Sequence, residues 1–569
     1  MAVMQREKKP DGANAEKFET PLEYLTRRGS SLKNTRSRGW DNQYRDLVDY
    51  ITPYRGRFVT SDRNDGKKKN LKMLNGHPRK SARTLASGMM AGLTSPTRPW
   101  FNLETSDPKL MDSKPVQEWC DEVESRMNTV FQKSNLYQAL PNFYEELAVF
   151  GTAAMVVLED YEDVIRVFNF TVGEYMIAAD ERGRVMTLFR EYESTVDHVV
   201  KKYGLTNCSE AVQMAYKNGQ YDQAVTLWQA IEPNDDRIDL KMGKGRPFRS
   251  LVWEAGASRD KGTKNFLEAK GFHENPLLCA RWSVNGNDDY GTGCGHDALP
   301  DAKELQTMEK RKRRKLEKHD NPTMRGPASL KNSRSSTLPG DITYDGDNQR
   351  NRYEPAYQVD ANIDPLRFEI RDKERQIDEF FYADLFLMLA QSDRRQITAR
   401  EIEERHEEKM LMLGPVLTRL NDEVLNPLID RVYGIMFRAG LFPQPPEELR
   451  DTELKVEYTS ILAQAQRAVD IAIIEDVAKF AGYMMPTFPS IGDRFNAEES
   501  IKLYAKLRGA PAKIINSDDE VEKSRKARSQ QQTEAMAPER AAQAVESAKL
   551  LSQTDTGGDN ALTNIMGIA

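Results

Sequence analysis

Ala-Ser-Gly-Met-Met-Ala-Gly-Leu-Thr-Ser-Pro-Thr-Arg-Pro-Trp-Phe, residues 86–101, is the stretch on which the reading of this chain turns. Leu85, Met89 and Leu93 lie four apart, so they share one face of a helix, while Ala86, Gly88, Ala91 and Gly92 leave so little side chain that another backbone can approach closely. Pro96 and Pro99 end the helix, and Trp100 and Phe101 supply a large apolar anchor just beyond it. Gly88, Gly92, Trp100 and Phe101 are therefore expected to be packing residues. Taken alone, the segment fits a small-residue packing helix of any globular protein equally well.

Composition narrows the classes. A chain of 569 residues has room for several domains with cores of their own. Its 82 basic residues are almost balanced by 88 acidic ones, so a net charge of −6 argues against a protein that coats nucleic acid. Any contact with DNA must be local. Residues 1–14 are polar and charged with no apolar core, so no secretory signal is expected. The best apolar run, Ala383 to Ala390, falls far short of the roughly 18 residues that span a bilayer. A soluble chain made in the cytoplasm, without membrane contact, is the expectation. Cys120, Cys208, Cys279 and Cys294 are scattered without paired spacing and read as reduced structural cysteines.

Periodicity divides the chain. Gln117 to Phe131 and Leu136 to Phe150 read as two successive amphipathic helices. After Gly151 the pattern shifts to β-rich runs at Ala154–Leu158, Val164–Phe170, Val185–Tyr192, Val225–Ile231, Leu251–Glu254 and Leu277–Val284, separated by turn residues as in an antiparallel sheet. Ala298 to Lys318 reads as a charged helix with one thin apolar edge, beginning near Pro300 because proline is tolerated in a first turn. Asn321 to Asp364 is rich in Pro, Gly, Ser and Asn and reads as a small loop-rich or β module. A second helix, Asp372 to Gln391, follows. Beyond the polar break Ser392-Asp393-Arg394-Arg395-Gln396, apolar residues recur every three or four positions from Thr398 to Ala439, a helix of roughly 60 Å. Gly414-Pro415 and Pro427 are expected to kink it. Ser460 to Met485 and Ala497 to Arg508 read as a C-terminal helical module, and the polar chain from about Asp518 has little apolar surface to bury. The whole reads as α+β.

Motifs for chemistry are weak throughout. Gly291-Thr-Gly-Cys-Gly295 before a helix resembles a phosphate loop, but its last glycine comes one place too early for Gly-x-Gly-x-x-Gly, and no Gly-x4-Gly-Lys-Ser/Thr occurs. A flexible joint between sheet and helix is the plainer reading, and no cofactor is expected. Cys294 and His296 supply at most two metal ligands where a stable zinc site needs three or four. The acidic run Glu401 to Glu408 reads as a solvated helix face. No catalytic residue and no metal site is expected. Lys310, Arg311, Arg313, Arg314 and Lys315, with Lys318 beyond, form the densest positive charge in the chain. In a monomer that is a solvated face, whereas around a symmetry axis each arginine becomes a ring of arginines and a strong local field.

Several further pieces stand out in order along the chain. They are Trp40 to Phe58 with its Tyr50-Ile-Thr-Pro-Tyr-Arg-Gly-Arg-Phe58, the Leu85 to Phe101 stretch, Phe150-Gly-Thr-Ala-Ala154, Arg281-Trp282 with Tyr290-Gly291, Leu299-Pro300-Asp301, Thr398-Ala-Arg-Glu-Ile402, and Leu413-Gly-Pro-Val-Leu-Thr-Arg-Leu420. In this order they resemble the portal proteins of short-tailed phages, the head-to-tail connectors, and the resemblance spans roughly residues 18 to 450. It implies a portal fold with residues 1–295 as an α/β wing, 296–319 and 372–391 as stem helices, and 320–371 as a clip. It further implies 392–396 as a tunnel loop, 397–448 as a long kinked helix, 449–530 as a helical crown and 531–569 as a polar tail. It implies a homo-oligomeric ring, usually of about twelve subunits, at one capsid vertex of the virion. Double-stranded DNA passes through that ring without sequence specificity during packaging and ejection. Terminase, the major capsid and scaffolding proteins, and later adaptor and tail proteins are the implied partners. Asp393, Arg394, Arg395 and Gln396 would contact DNA transiently, Gly414 and Pro415 would bend the long helix, and the chain would not be an enzyme. A helical scaffold or adaptor without a DNA channel, and a nucleic-acid-processing enzyme, are the other classes the residues allow.

Overall fold

The structure is a computed structural model. It describes residues 20–61, 69–105, 107, 110, 113–234, 245–256, 266–325, 354–355, 362–391, 412–449, 454–458, 468–484, 496–508, 521, 523–528 and 530. The chain divides into two compact units, the first made of residues 1–102, 123–443 and 458–470, the second of 103–122, 444–457 and 471–569.

The first unit begins with α1 (Pro21–Gly39), which starts where Thr20 and Glu23 cap each other reciprocally and Pro21 occupies the first turn. α2 (Asp41–Tyr50), α3 (His77–Leu93) and α4 (Lys114–Lys133) follow. α5 (Leu136–Phe150) buries Leu136, Ala139, Leu140, Phe143 and Tyr144 on one face, leaves Gln138 and Asn142 exposed on the other, and is buried throughout its last turn, ending at Gly151 with φ +68°. Next come β2 (Thr152–Asp160) and β3 (Val164–Phe170), an antiparallel hairpin, and β9 (Leu277–Arg281) lies on the other side of β2.

A five-stranded antiparallel meander fills the interval between β3 and β9: β4 (Tyr175–Ala179), β5 (Val185–Thr195), β6 (Ala224–Pro233), β7 (Phe248–Glu254) and β8 (Glu268–Phe272). Both of its faces are covered. α6 (Val196–Tyr203) and α7 (Glu210–Lys217) lay Val196, Val199 and Val212 against Leu227 and Val252, while α1 lays Leu22 and Leu25 against Phe189, Leu251 and Trp253. Adjacent residues of β7 point to opposite faces, so Arg249 to Glu254 are all buried.

Two helices close the first unit's hairpin, α8 (Cys294–Asp320) and α9 (Asp364–Phe380), with the two-residue strands β10 (Met324–Arg325) and β11 (Glu354–Pro355) paired between them. α8 starts four residues before the expected Ala298, which puts Pro300 beyond the first turn. The expected single helix 372–391 is instead α9, starting at 364, and α10 (Ala383–Gln391). They part at Tyr382, whose φ of +51° ends an α-helical run. In the long helix, residues 412–438 are described, and 398–411 lie outside the described residues, as do the expected tunnel loop 392–396 and the tail 531–569.

In the second unit, β12 (Leu454–Tyr458) pairs with β1 (Phe101–Thr105). The helices Ala468–Met484 and Ala497–Arg508 fall close to expectation, and Tyr504 Oη bonds Glu475 Oε1 at 3.1 Å.

Candidate nucleic-acid interface on a helix hairpin

α8 and α9 run antiparallel, with Lys373 pairing Asp301 at 2.9 Å and Glu304 at 3.0 Å near one end, and Lys315 Nζ donating to the carbonyl of Asn362 at 2.5 Å near the other. The chain before α3 is bound between them. Gln306 Oε1 accepts the backbone N–H groups of Leu74 and Asn75 at 2.6 and 2.7 Å, and Asn75 Nδ2 donates to Glu374 Oε1 at 2.9 Å. Ser81 Oγ donates to Asp378 Oδ1 at 2.5 Å, and His77 Nε2 lies 3.0 Å from Asp378 Oδ2. The Asp378 carboxylate holds the His77 imidazole above its ordinary value.

The basic cluster separates into two sets. Lys312 is tied to Glu309 at 2.8 Å, Arg313 Nη2 donates to the Leu74 carbonyl at 3.3 Å, and Lys315 is tied to Asn362. Lys310, Arg311 and Arg314 are exposed and form no ion pair among the described residues. At about 100° per residue they fall within one roughly 100° arc of α8. Three like charges on one arc oppose helix stability by a few tenths of a kcal/mol per pair, so this face is one that folding does not require. α9 adds Arg367, Arg371 and Arg375 at every fourth position. Arg367 and Arg375 are loosely paired at 3.7 Å with Asp364 and Glu379, and Arg371 forms no pair among the described residues. Sequence reasoning passed over this second stripe, although its Arg-x3-Arg-x3-Arg spacing was the available signal.

Where sheet gives way to α8, the expected flexible joint is instead a crossing of backbones. A Cβ built on Gly295 would lie 2.3 Å from the Val149 carbonyl oxygen, on Gly293 2.7 Å from that of Ala148, and on Gly291 2.6 Å from that of Gly151. Gly151 reciprocates, its Cβ falling 2.3 Å from the backbone carbon of Thr292. The glycines are there so that the end of α5 and the start of α8 can touch, and contact of this kind is rigid.

His296 sits in the same crossing, edge-on to Trp40 at 6.3 Å between ring centroids and near Tyr44, with Nδ1 accepting the Gly293 N–H at 3.2 Å. Among the described residues no group of three or more His, Cys, Asp and Glu is placed to hold a metal. Burial brings the His296 imidazole down to about 4. The unfolded imidazole takes up a proton near 6.5 while the folded one stays neutral. Its contribution to stability is thus complete above pH 6.5 and is lost as pH falls from 6.5 towards 4. His296→Gln keeps an acceptor at the third helical position without a titrating group. The thermal midpoint of the wild type is expected to drop between pH 6.5 and 4.5 by more than that of His296→Gln. Parallel pH profiles would rule the linkage out.

The long helix is irregular at Asn421–Leu425, a π-turn in which Asn426 N–H bonds the Asn421 carbonyl, just ahead of Pro427. Gly414 and Pro415 lie in the helical stretch before it. The π-turn delivers Glu423 to Arg281 at the end of β9. Glu423 Oε1 accepts from Nη2 at 2.6 Å and Nε at 3.2 Å, and Oε2 accepts the Arg281 backbone N–H at 2.9 Å. Further along, Arg431 and Arg438 both bind Glu274, Arg431 at 2.7 Å. Burial raises the Glu274 carboxyl, but these two guanidinium groups outweigh it and leave the group below its ordinary value.

The small-residue helix packs as follows. A Cβ on Gly88 would lie 2.1 Å from Phe386 Cγ, so α10 crosses α3 at that point, and Gly92 is buried on the same helix. Trp100 and Phe101 are fully buried, with Trp100 stacked on Phe131 at 5.8 Å and its Nε1 donating to Tyr137 Oη at 3.2 Å.

The described residues thus form an α+β body with a helix hairpin on which Lys310, Arg311 and Arg314 are exposed and unpaired. Residues 23–515 match the family described as "Bacteriophage head to tail connecting protein". The chain is 41% identical over 554 residues to the portal protein of Salmonella phage epsilon15, covering 97% of this chain and 99% of that one. It is 38% identical over 549 residues to the probable portal protein of Bordetella phage BPP-1, covering 96% and 98%. A chain from the virion of a native gene transfer agent particle aligns at a TM-score of 0.31 and 10% identity, over 77% of this chain and 95% of that one. The chain belongs to the phage head-to-tail connecting protein family.

Proposed function

We propose that this protein is the portal of a short-tailed phage: copies close into a ring at one capsid vertex, the genome enters and leaves through it, and it performs no covalent chemistry. The observation that carries the reading, beyond family membership, is the arc of Lys310, Arg311 and Arg314, which has no ion pair among the described residues, on a hairpin where Lys312 and Lys373 are paired with carboxylates. In this reading α8 and α9 are the stem, the chain between them is the clip that meets terminase and then adaptor proteins, and Asp393 to Gln396 form the tunnel loop. Scaffolding and major capsid proteins surround the wing. A channel must guide phosphates without holding them, since each firmly neutralised phosphate adds a salt-dependent increment of affinity. Near-neutral overall charge with a narrow basic arc meets that demand.

Negative-stain microscopy of the purified protein tests the assembly: rings with a central hole wide enough for duplex DNA support it, and monomers or filaments at high concentration overturn it. Rings of Lys310→Glu/Arg311→Glu/Arg314→Glu are expected to form, while the yield of DNA-filled particles in a complementation assay falls at least about tenfold. Lys312→Gln, which touches only the internally paired set, is the control. Normal filling by the triple variant would remove the DNA role from this arc.

A further inference from the structure

The acidic tip of the β2–β3 hairpin and a cavity at its base, with arginines unpaired among the described residues, lie at opposite ends of one strand. At the tip, Tyr161 is fully exposed (relative exposure 108%) between Asp160 and Glu162. Asp160 Oδ2 accepts the Asp163 N–H at 3.3 Å and so holds the turn. Val164 closes the turn at φ +69°, a left-handed conformation that a β-branched residue adopts only under strain. A glycine would fit there without strain.

The cavity, about 330 Å³, opens beside Phe170 and Thr171 at the far end of β3. Its two carboxylates are already taken, Glu145 by Arg55 Nη2 at 2.6 Å and Glu146 by Arg55 Nη1 at 3.3 Å. Arg79 stacks over the Tyr54 ring at 4.9 Å, and Arg83 is exposed with no ion pair among the described residues. The cavity thus presents an aromatic wall and two arginines that lack a carboxylate, which suits a phenol ring flanked by acids.

We propose that the Tyr161 hairpin of one subunit seats in the Tyr54–Arg79–Arg83 cavity of the next, with Glu162 meeting Arg83. The tip and the cavity are about 20 Å apart along β3, too far for one subunit to satisfy its own. A knob and a hole on different parts of one surface make a head-to-tail contact, the kind that closes into a ring. This contact rests on the ring reading above and gives it a specific interface.

The test is a charge exchange in the full chain. Glu162→Arg and Arg83→Glu, each at an exposed position, are expected to leave thermal unfolding unchanged. Each is also expected to reduce the ring fraction in size-exclusion chromatography and microscopy by at least about fivefold, because like charges face each other. The combined variant Glu162→Arg/Arg83→Glu is expected to regain most of the rings. If the wild type forms rings and the single variants form them equally well, or if the combined variant is no better than the worse single one, the contact is overturned while the ring reading stands. If the wild type forms no rings, the ring reading fails and this contact fails with it.

Discussion

Gly151→Ala is expected to leave almost no folded subunit, and the comparison that explains why uses two other glycines. Gly219 has φ +76° with nothing within 4 Å of a built Cβ, so Gly219→Ala isolates the backbone strain, about 1–2 kcal/mol. Gly295 has no left-handed φ but would place its Cβ 2.3 Å from a carbonyl oxygen, so Gly295→Ala isolates the close approach. In an open helix that change would gain about 1 kcal/mol in propensity. Here two backbones must separate, and a loss of about 3 kcal/mol or more is expected. Gly151 combines both faults, with φ +68° and backbone atoms at 2.3 to 2.5 Å, which puts its replacement beyond about 4–5 kcal/mol. Soluble yield and denaturant midpoints of the purified variants give the order Gly219, Gly295, Gly151. A Gly295→Ala variant as stable as the wild type would mean that the start of α8 is not pinned to α5, and the rigid seating of the hairpin would fall with it.

That crossing also marks what could and could not be read in the chain. Leu136–Phe150 and Val164–Phe170 were legible to the residue, because their periodicities of 3.6 and 2 are set locally. Tyr175–Ala179 was not legible: both of its faces are covered, so no alternation marks it, and it is only five residues long. The Gly291 to Gly295 stretch looked flexible since glycine is permissive wherever nothing else is known, and only the partner backbone 145 residues or so away in the chain turns permissiveness into close packing. Similarly, the basic run was legible as charge. Which of its members are free depended on Leu74, Glu309 and Asn362, and no spacing rule links Arg313 to a carbonyl more than two hundred residues earlier. The family resemblance survived these local errors because it rests on the order of many segments rather than on any single contact.

Glu423→Ala is expected to cost about 3–5 kcal/mol, since it strands the Arg281 guanidinium, which is only 5% exposed, without its counter-charge. The remaining acceptors, the carbonyls of Gly183 and Asp288, solvate the cation but do not neutralise it. The loss is larger than for a surface pair because Glu423 also accepts the backbone N–H of Arg281 on the edge of β9 that does not pair with β2. Arg281→Met/Glu423→Met removes both charges, and its loss is expected to be smaller than that of Glu423→Ala alone. Chemical denaturation of the wild type, the two single variants and the double variant measures the coupling, expected at about 2 kcal/mol or more. Additive losses would show that the pair does not hold the long helix to the sheet. The π-turn gives the geometry its reason: a residue added to the turn swings Glu423 out of the helical register and onto the strand, ahead of Pro427, which has no N–H to restore the regular ladder. Arg431 and Arg438 add a second attachment at Glu274, so the Arg281–Glu423 pair fixes the long helix at its π-turn while Glu274 fixes it further along.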